Sequence, residues 1–133
     1  MGGGTGMGDI SNAVSEALKI FITNGKINGA QKAAKVLRRD LTSGELEQIL
    51  EVQIKEGEFD DAKKTVKLLH RNLTAEELLR MVEIQIKRKW YFKAMYIADF
   101  LPEPKRITKL LMILNIQIKR EQFDDAERTI ALL

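Results

Sequence analysis

The sequence predicts an all-α fold, a solenoid of about four helix-turn-helix repeats. Three observations support it: a 32-residue repeat, capping motifs followed by apolar residues at helical spacing, and turn residues between the helices. Repeats of about 20 to 50 residues are typical of solenoids, whose units bury their apolar faces against their neighbours. Four columns of residues share the period: Ala30, Ala62, Ala94 and Ala126; Ile22, Ile54, Ile86 and Ile118; Ile27, Phe59, Tyr91 and Phe123; and Leu37, Leu69, Leu101 and Leu133.

The first helix of a repeat is indicated by its capping motif and by the apolar spacing behind it. Thr42 and Glu45 fit a capping box, in which a hydroxyl and a carboxylate satisfy free backbone donors, and Thr74 and Glu77 repeat it. Because apolar residues then follow on more than one side, we expect this helix to be covered from two sides, as in the middle of a stack. The main apolar set is Leu46, Ile49, Leu50 and Ile54 in one repeat, and Leu78, Met81, Val82 and Ile86 in the next.

A turn and a second helix complete each repeat. Gly57 supplies the permissive backbone of the turn, Asp60 is expected to cap the second helix, and the small Ala62 is expected where the two helices approach most closely. The predicted pairs are 11–24 with 28–39, 43–56 with 60–71, 75–88 with 92–101, and 105–120 with 124–133.

Length and composition are those of one globular domain. The chain has 133 residues, of which 44% are hydrophobic and 31% charged, with a net charge of +3 and no cysteine. We expect residues 1–8 to be a flexible, artificially added leader and residues 9–133 to be a single helical-repeat domain. Because Leu133 falls in a core column, we expect this domain to be a fragment of a longer array. No apolar run or secretory signal is visible, so we expect a cytoplasmic protein without a membrane partner.

The turn sequences resemble one known family. The stretch from Glu56 to Ala62, Glu-Gly-Glu-Phe-Asp-Asp-Ala, is similar to the turn of a tetratricopeptide (TPR) repeat, and residues 121–126 and 24–30 are further copies. The resemblance covers residues 11–133 and implies a right-handed α-solenoid, an alpha-alpha superhelix, that acts as a protein–protein interaction scaffold without a cofactor. The chain departs from the family in its period, 32 residues against about 34. It also departs at Leu18, Leu50, Val82 and Leu114, where the family prefers small residues.

The same resemblance implies a peptide-binding groove lined by the first helix of each repeat. A column of lysines there would suit an acidic peptide. The alternative is a solvated surface on which Glu51 pairs with Lys55 and Glu83 with Lys87, four residues apart. The implied groove residues are Lys19, Glu51, Lys55, Leu79, Glu83, Lys87, Leu111, Asn115 and Lys119.

Three glutamines form a polar column inside the apolar pattern. Gln53, Gln85 and Gln117 stand one period apart and are flanked by apolar residues. Since buried amides need hydrogen-bond partners, we expect these side chains to bond from repeat to repeat and to set the register. Recognition of a ligand amide is the alternative.

The third repeat breaks the pattern with an apolar patch. Trp90, Phe92, Met95 and Tyr96 occupy positions that are polar in the other three repeats. Aromatic and methionine side chains on a surface are typical of interface hot spots, so we expect the patch to bind a partner protein or to form a homodimer. The alternative is that the solenoid bends here, or that another segment of the protein covers the patch.

The residue inventory favours binding over catalysis. His70 is the single histidine and there is no cysteine, which leaves few nucleophile–base pairs, so we expect no catalytic residue, no metal site and no enzyme activity. The main prediction is therefore a protein–protein interaction scaffold. The alternatives are an architectural homo-oligomer and a nucleic-acid-binding repeat that uses Lys87, Arg88, Lys89, Lys119 and Arg120; nucleic acid is the less favoured partner because Lys55 is followed by Glu56.

Overall fold

A computed structural model describes residues 6–133, and these form eight α-helices and no β-strand. The predicted all-α class is therefore confirmed for the described residues. No helix among them combines the length and apolarity needed to cross a membrane. The helices are α1 (Met7–Thr23), α2 (Ile27–Val36), α3 (Ser43–Glu56), α4 (Phe59–Leu68), α5 (Ala75–Lys87), α6 (Tyr91–Ala98), α7 (Lys105–Lys119) and α8 (Phe123–Leu132).

The described residues divide into two compact units. The first unit runs to Gln53 and includes Asp60–Asn72; the second comprises Ile54–Phe59 and Leu73–Leu133. In the first unit α1 packs on α2, around a core that includes Leu18, Ile27, Ala30, Leu46 and Ile49. In the second unit α5 packs on α6, α6 on α7, and α7 on α8, and its buried residues include Met81, Val82, Ala94, Leu110 and Ile113.

The predicted capping boxes are present at both expected helix starts. At α3, the Glu45 amide donates to Thr42 Oγ1 at 3.1 Å and the Thr42 amide donates to Glu45 Oε1 at 2.8 Å. Thr74 and Glu77 make the same two bonds at α5. The second helices start differently. Because α4 begins at Phe59, Asp60 lies inside its first turn and is not the capping residue; it forms an ion pair with Lys63 at 3.6 Å.

Two columns of residues in the left-handed backbone region follow the ends of the helices. Gly25, Gly57, Lys89 and Glu121 follow α1, α3, α5 and α7, and Arg38 and His70 follow α2 and α4. After α2, the Arg39 amide donates to Ala34 O and the Arg38 amide to Lys35 O, the two bonds of a Schellman motif. This motif stops α2 at Val36 and α4 at Leu68, three residues before the ends predicted from apolar spacing.

The predicted leader is too long at its C-terminal end. Met7 and Gly8 belong to α1, with Gly6 as its N-cap residue, while residues 1–5 lie outside the part that the structure describes. Asp9 in the first turn of α1 suits the positive end of the helix dipole, which favours a start before residue 9.

All four residues of the alanine column are buried, whereas the exposure of residues in the other columns differs from repeat to repeat. Ala30, Ala62, Ala94 and Ala126 are each at most 2% exposed, as expected for close helix contacts. Phe59 and Tyr91 are also buried, but Phe123 in the same column is exposed. Tyr96 and Phe100, from the following helix pair, pack against Phe59. Phe123 lies in α8, and no aromatic ring of the described residues packs against it.

Candidate partner-binding surfaces

Four half-exposed aromatic rings lie in α6 and in the residues that flank it. Trp90 is 48%, Phe92 43%, Tyr96 45% and Phe100 52% exposed. Phe92, Tyr96 and Phe100 follow one another at four-residue intervals, which places them on one side of the chain that continues from α6. We refer to Trp90, Phe92, Tyr96 and Phe100 as the α6 aromatic face.

Met95 does not belong to this exposed surface. It is 5% exposed and lies four residues after the buried Tyr91 and three before the buried Ala98, so its side chain joins the core side of α6. The expectation that Met95 is part of an exposed patch is therefore wrong. Its departure from the polar residues of the other repeats reflects packing inside the second unit.

The repeat pattern does not mark Phe100 as part of this surface, because Phe100 does not depart from its equivalents in the other repeats. Its equivalents Val36, Leu68 and Leu132 are all apolar, so a comparison between repeats does not single it out. The available signal was its four-residue spacing from Tyr96 and Phe92. In the structure the rings of Phe59, Tyr96 and Phe100 meet edge to face, with centroids 5.1 to 5.9 Å apart.

Cations flank the other two rings of the α6 aromatic face. The Lys93 ammonium lies 4.4 Å from the centroid of the Trp90 ring, and the Arg88 guanidinium lies 5.4 Å from it. Arg128 of α8 lies 5.4 Å from the centroid of Phe92. These distances are within the range of cation–π attraction. The surface therefore combines aromatic faces with a positive border.

The lysines of the implied groove are exposed. Lys55, Lys87 and Lys119 lie in the last turns of α3, α5 and α7, all three within the second unit. Their side chains make no hydrogen bond or ion pair with any residue that the structure describes. Glu83 bonds to Lys109 of α7 rather than to Lys87, so the expected pair between Glu83 and Lys87 does not form.

The remaining groove residues fall in different environments. Lys19 is exposed and pairs with Glu16 at 3.3 Å, and Glu51 is half-buried. In the second unit Leu79 is half-buried, whereas Leu111 and Asn115 are exposed. Lys19 and Glu51 belong to the first unit and the other seven groove residues to the second.

The glutamine column is buried and bonds to the backbone of the preceding turn. Gln53 Nε2 donates to Gly25 O at 3.1 Å, and Gln85 Nε2 donates to Gly57 O at 2.8 Å. This agrees with a structural role between repeats. Gln117 differs, because its Oε1 accepts a hydrogen bond from Thr129 Oγ1 at 2.7 Å within the last pair.

A residue with a side chain at the turn explains why Gln117 differs. A Cβ added at Gly57 would lie 2.6 Å from Gln85 Nε2, so glycine is what lets the amide reach the carbonyl. Lys89 occupies the position equivalent to Gly57, in the turn between α5 and α6, and carries a Cβ. Gln117 bonds to Thr129 instead.

One ion pair in the first unit has a strong electrostatic effect. Arg39 binds Glu45 through two hydrogen bonds, each 2.9 Å long. Together with the Thr42 backbone amide, this guanidinium lowers the pKa of the Glu45 carboxyl from its ordinary value near 4.5 to about 2. Since Glu45 also completes the capping box of α3, the pair joins the end of α2 to the start of α3.

The single histidine, His70, is exposed beyond the end of α4. Among the described residues, no cluster of three or more His, Asp or Glu side chains is placed to hold a metal ion. No family model matches the chain, and no curated protein or solved structure shows significant similarity to it.

Proposed function

We propose that this protein is a protein–protein interaction scaffold, a right-handed tetratricopeptide-like α-solenoid of four helix pairs. The observation that carries the proposal is the α6 aromatic face, where four aromatic rings of one helix pair are each between 43% and 52% exposed. Three of them replace residues that are polar in every other pair. A partner that covers these rings would remove their apolar surface from water.

Aromatic side chains are suited to carry binding energy. They have few rotatable bonds and a large apolar area, and truncating such a residue in the centre of an interface often weakens binding by about 2 kcal/mol or more. The Phe59 ring packs edge to face against the rings of Tyr96 and Phe100, with centroid distances of 5.7 and 5.1 Å. Preorganised rings lose little conformational entropy when a partner binds.

The charges around the rings define the chemistry of the partner. Lys93 lies over Trp90 and has no carboxylate partner among the described residues, whereas Arg88 pairs with Glu56 and Arg128 with Asp125. The complementary surface is therefore apolar in its centre, with an acidic group opposite Lys93. We therefore propose a partner protein segment that presents apolar side chains flanked by aspartate or glutamate. The exposed Lys55, Lys87 and Lys119 offer a second positive surface in the same unit for an acidic peptide.

Nucleic-acid binding is a weaker proposal because the arginines of the basic turns already have partners. Arg88 Nη1 donates to Glu56 O at 2.8 Å and its guanidinium lies over Trp90, while Arg120 lies 5.6 Å from the Tyr91 ring centroid. Contacts to phosphates would require these side chains to leave their positions. A homo-oligomer formed through the α6 aromatic face uses the same observation as the scaffold and is separated from it by experiment.

The test compares two variants that change different surfaces. The face variant carries Trp90→Glu, Phe92→Asp and Tyr96→Lys, residue types that other repeats hold at these positions. The groove variant carries Lys55→Glu, Lys87→Glu and Lys119→Glu. Both are used as bait for affinity capture, with folding checked by circular dichroism, and each captured protein is then titrated as a purified partner.

The proposal predicts that the face variant weakens binding of the purified partner by more than about tenfold, about 1.4 kcal/mol. It also predicts that wild type and face variant have the same mass in light scattering. A mass that falls only in the face variant indicates the homo-oligomer instead. Unchanged affinity in a folded face variant contradicts binding through α6.

A further inference from the structure

A positively charged cleft lies within the first unit. It has a volume of about 880 Å³ and is bordered by the ends of α2 and α4 and the start of α3. Lys35 and Arg38 line it from the α2 side, and Lys67 and His70 from the α4 side. Clefts of about 300 to 1,000 Å³ are typical of ligand-binding sites.

Most of the positive charge in this cleft is not neutralised. Arg39 is held by Glu45, and Asp40 is the one acidic residue of the lining. The side chains of Lys35, Arg38 and Lys67 have no hydrogen bond or ion pair with any described residue. Four cations against the two carboxylates leave an excess of two positive charges.

The helix dipoles do not account for this charge. Lys35 and Lys67 lie in the last turns of α2 and α4, where cations are favoured by about half a negative charge per helix end. Two helix ends therefore offset about one of the excess charges. Arg38 lies beyond the end of α2, in the left-handed region, so its position is not explained by a helical turn.

The uncharged part of the lining indicates what kind of anion fits. Leu41 is half-buried and Leu68 is 38% exposed, which gives the cleft an apolar side next to its cations. The lining contains no Phe, Tyr or Trp, the residues on which single-stranded nucleic acids stack their bases. The combination of cations and apolar side chains suits a peptide that carries several carboxylates together with aliphatic side chains.

We propose that this cleft binds an acidic peptide segment of a partner protein. The carboxylates of the segment pair with Lys35, Arg38 and Lys67, and an aliphatic side chain packs against Leu41 and Leu68. The site is independent of the α6 aromatic face, since all of its residues belong to the first unit.

The experiment uses a short synthetic peptide in which glutamates alternate with leucines, and the same peptide with glutamine in place of glutamate. Binding is followed by fluorescence anisotropy and by the NMR signals of the His70 ring, which is the single histidine of the sequence and lines the cleft. The cleft variant is Lys35→Glu, Arg38→Glu and Lys67→Glu. The matched control is Lys26→Glu, Lys32→Glu and Lys64→Glu, which changes the net charge equally at exposed positions of the same unit that do not line the cleft.

We expect the acidic peptide to shift the His70 signals, to bind more weakly as salt rises, and to lose affinity by at least about tenfold in the cleft variant only. Equal losses in both variants would show non-specific attraction and overturn the proposal. So would unshifted His70 signals in wild type, equal binding of the glutamine peptide, or tighter binding of a single-stranded RNA. Should the cleft variant not fold, Arg38→Gln alone with the wild-type NMR titration decides the question.

Discussion

Replacing Gly57 with alanine tests the hydrogen bond that joins this turn to α5. Gly57 has a φ of 69°, a region in which a residue with a side chain is disfavoured by about 1 to 2 kcal/mol. The added Cβ would lie 2.6 Å from Gln85 Nε2, which now donates to Gly57 O at 2.8 Å. Because Gln85 is 2% exposed, displacing its amide leaves a buried donor unsatisfied, which costs about 1 to 3 kcal/mol.

The two effects together predict that Gly57→Ala lowers the free energy of unfolding by about 2 to 5 kcal/mol. Urea denaturation followed by circular dichroism measures this value. Gly44→Ala is the matched control, since Gly44 lies in α3 and the nearest atom to its added Cβ is 3.9 Å away. There we expect a gain of about 0.4 to 1 kcal/mol, because alanine restricts the unfolded chain.

A double-mutant cycle separates the backbone strain from the lost hydrogen bond. In a Gln85→Ala background, Gly57→Ala should lower stability by about 1 to 2 kcal/mol only, since no amide remains to be displaced. Equal effects of Gly57→Ala in both backgrounds would refute the coupling between Gly57 and Gln85. Wild-type stability of the single variant would refute the whole argument.

Three further predictions follow from the same contacts. Lys89→Gly should raise stability by about 1 kcal/mol, because it relieves a left-handed residue and opens the turn to Gln117; a lower melting midpoint would contradict this. The ion pair of Glu45 should contribute about 1 to 2 kcal/mol, discounted because Arg39 is 41% exposed. As its folded pKa of about 2 lies below the ordinary 4.5, this contribution is present above pH 4.5 and lost towards pH 2, so the difference in melting midpoint between wild type and Glu45→Gln should close on acidification; a constant difference would rule this out. Ala94→Leu should destabilise by about 1 to 3 kcal/mol through overpacking, unlike Ala131→Leu on the exposed side of α8, and equal melting of the two variants would disprove the close contact.

The repeat period was enough to predict which residues form helices and which small residues are buried. Helical spacing and capping boxes depend on residues three or four apart, so Thr42 with Glu45 could be recognised from the sequence, and Ala94 could be placed in the core. The aromatic replacements at Trp90 and Phe92 were also visible as departures from the other repeats. Their exposure agrees with the prediction, although their binding role stays a prediction.

Only the tertiary structure decided which side chains are buried, because burial depends on the neighbour that covers each residue. Met95 and Phe92 both break the repeat, yet Met95 turns to the core and Phe92 does not. Phe59 and Phe123 share a column, but only Phe59 meets rings from a following pair. The cleft beside Arg38 arises because helix ends distant in sequence come together, and long-range packing of this kind leaves no mark in a local pattern of residues.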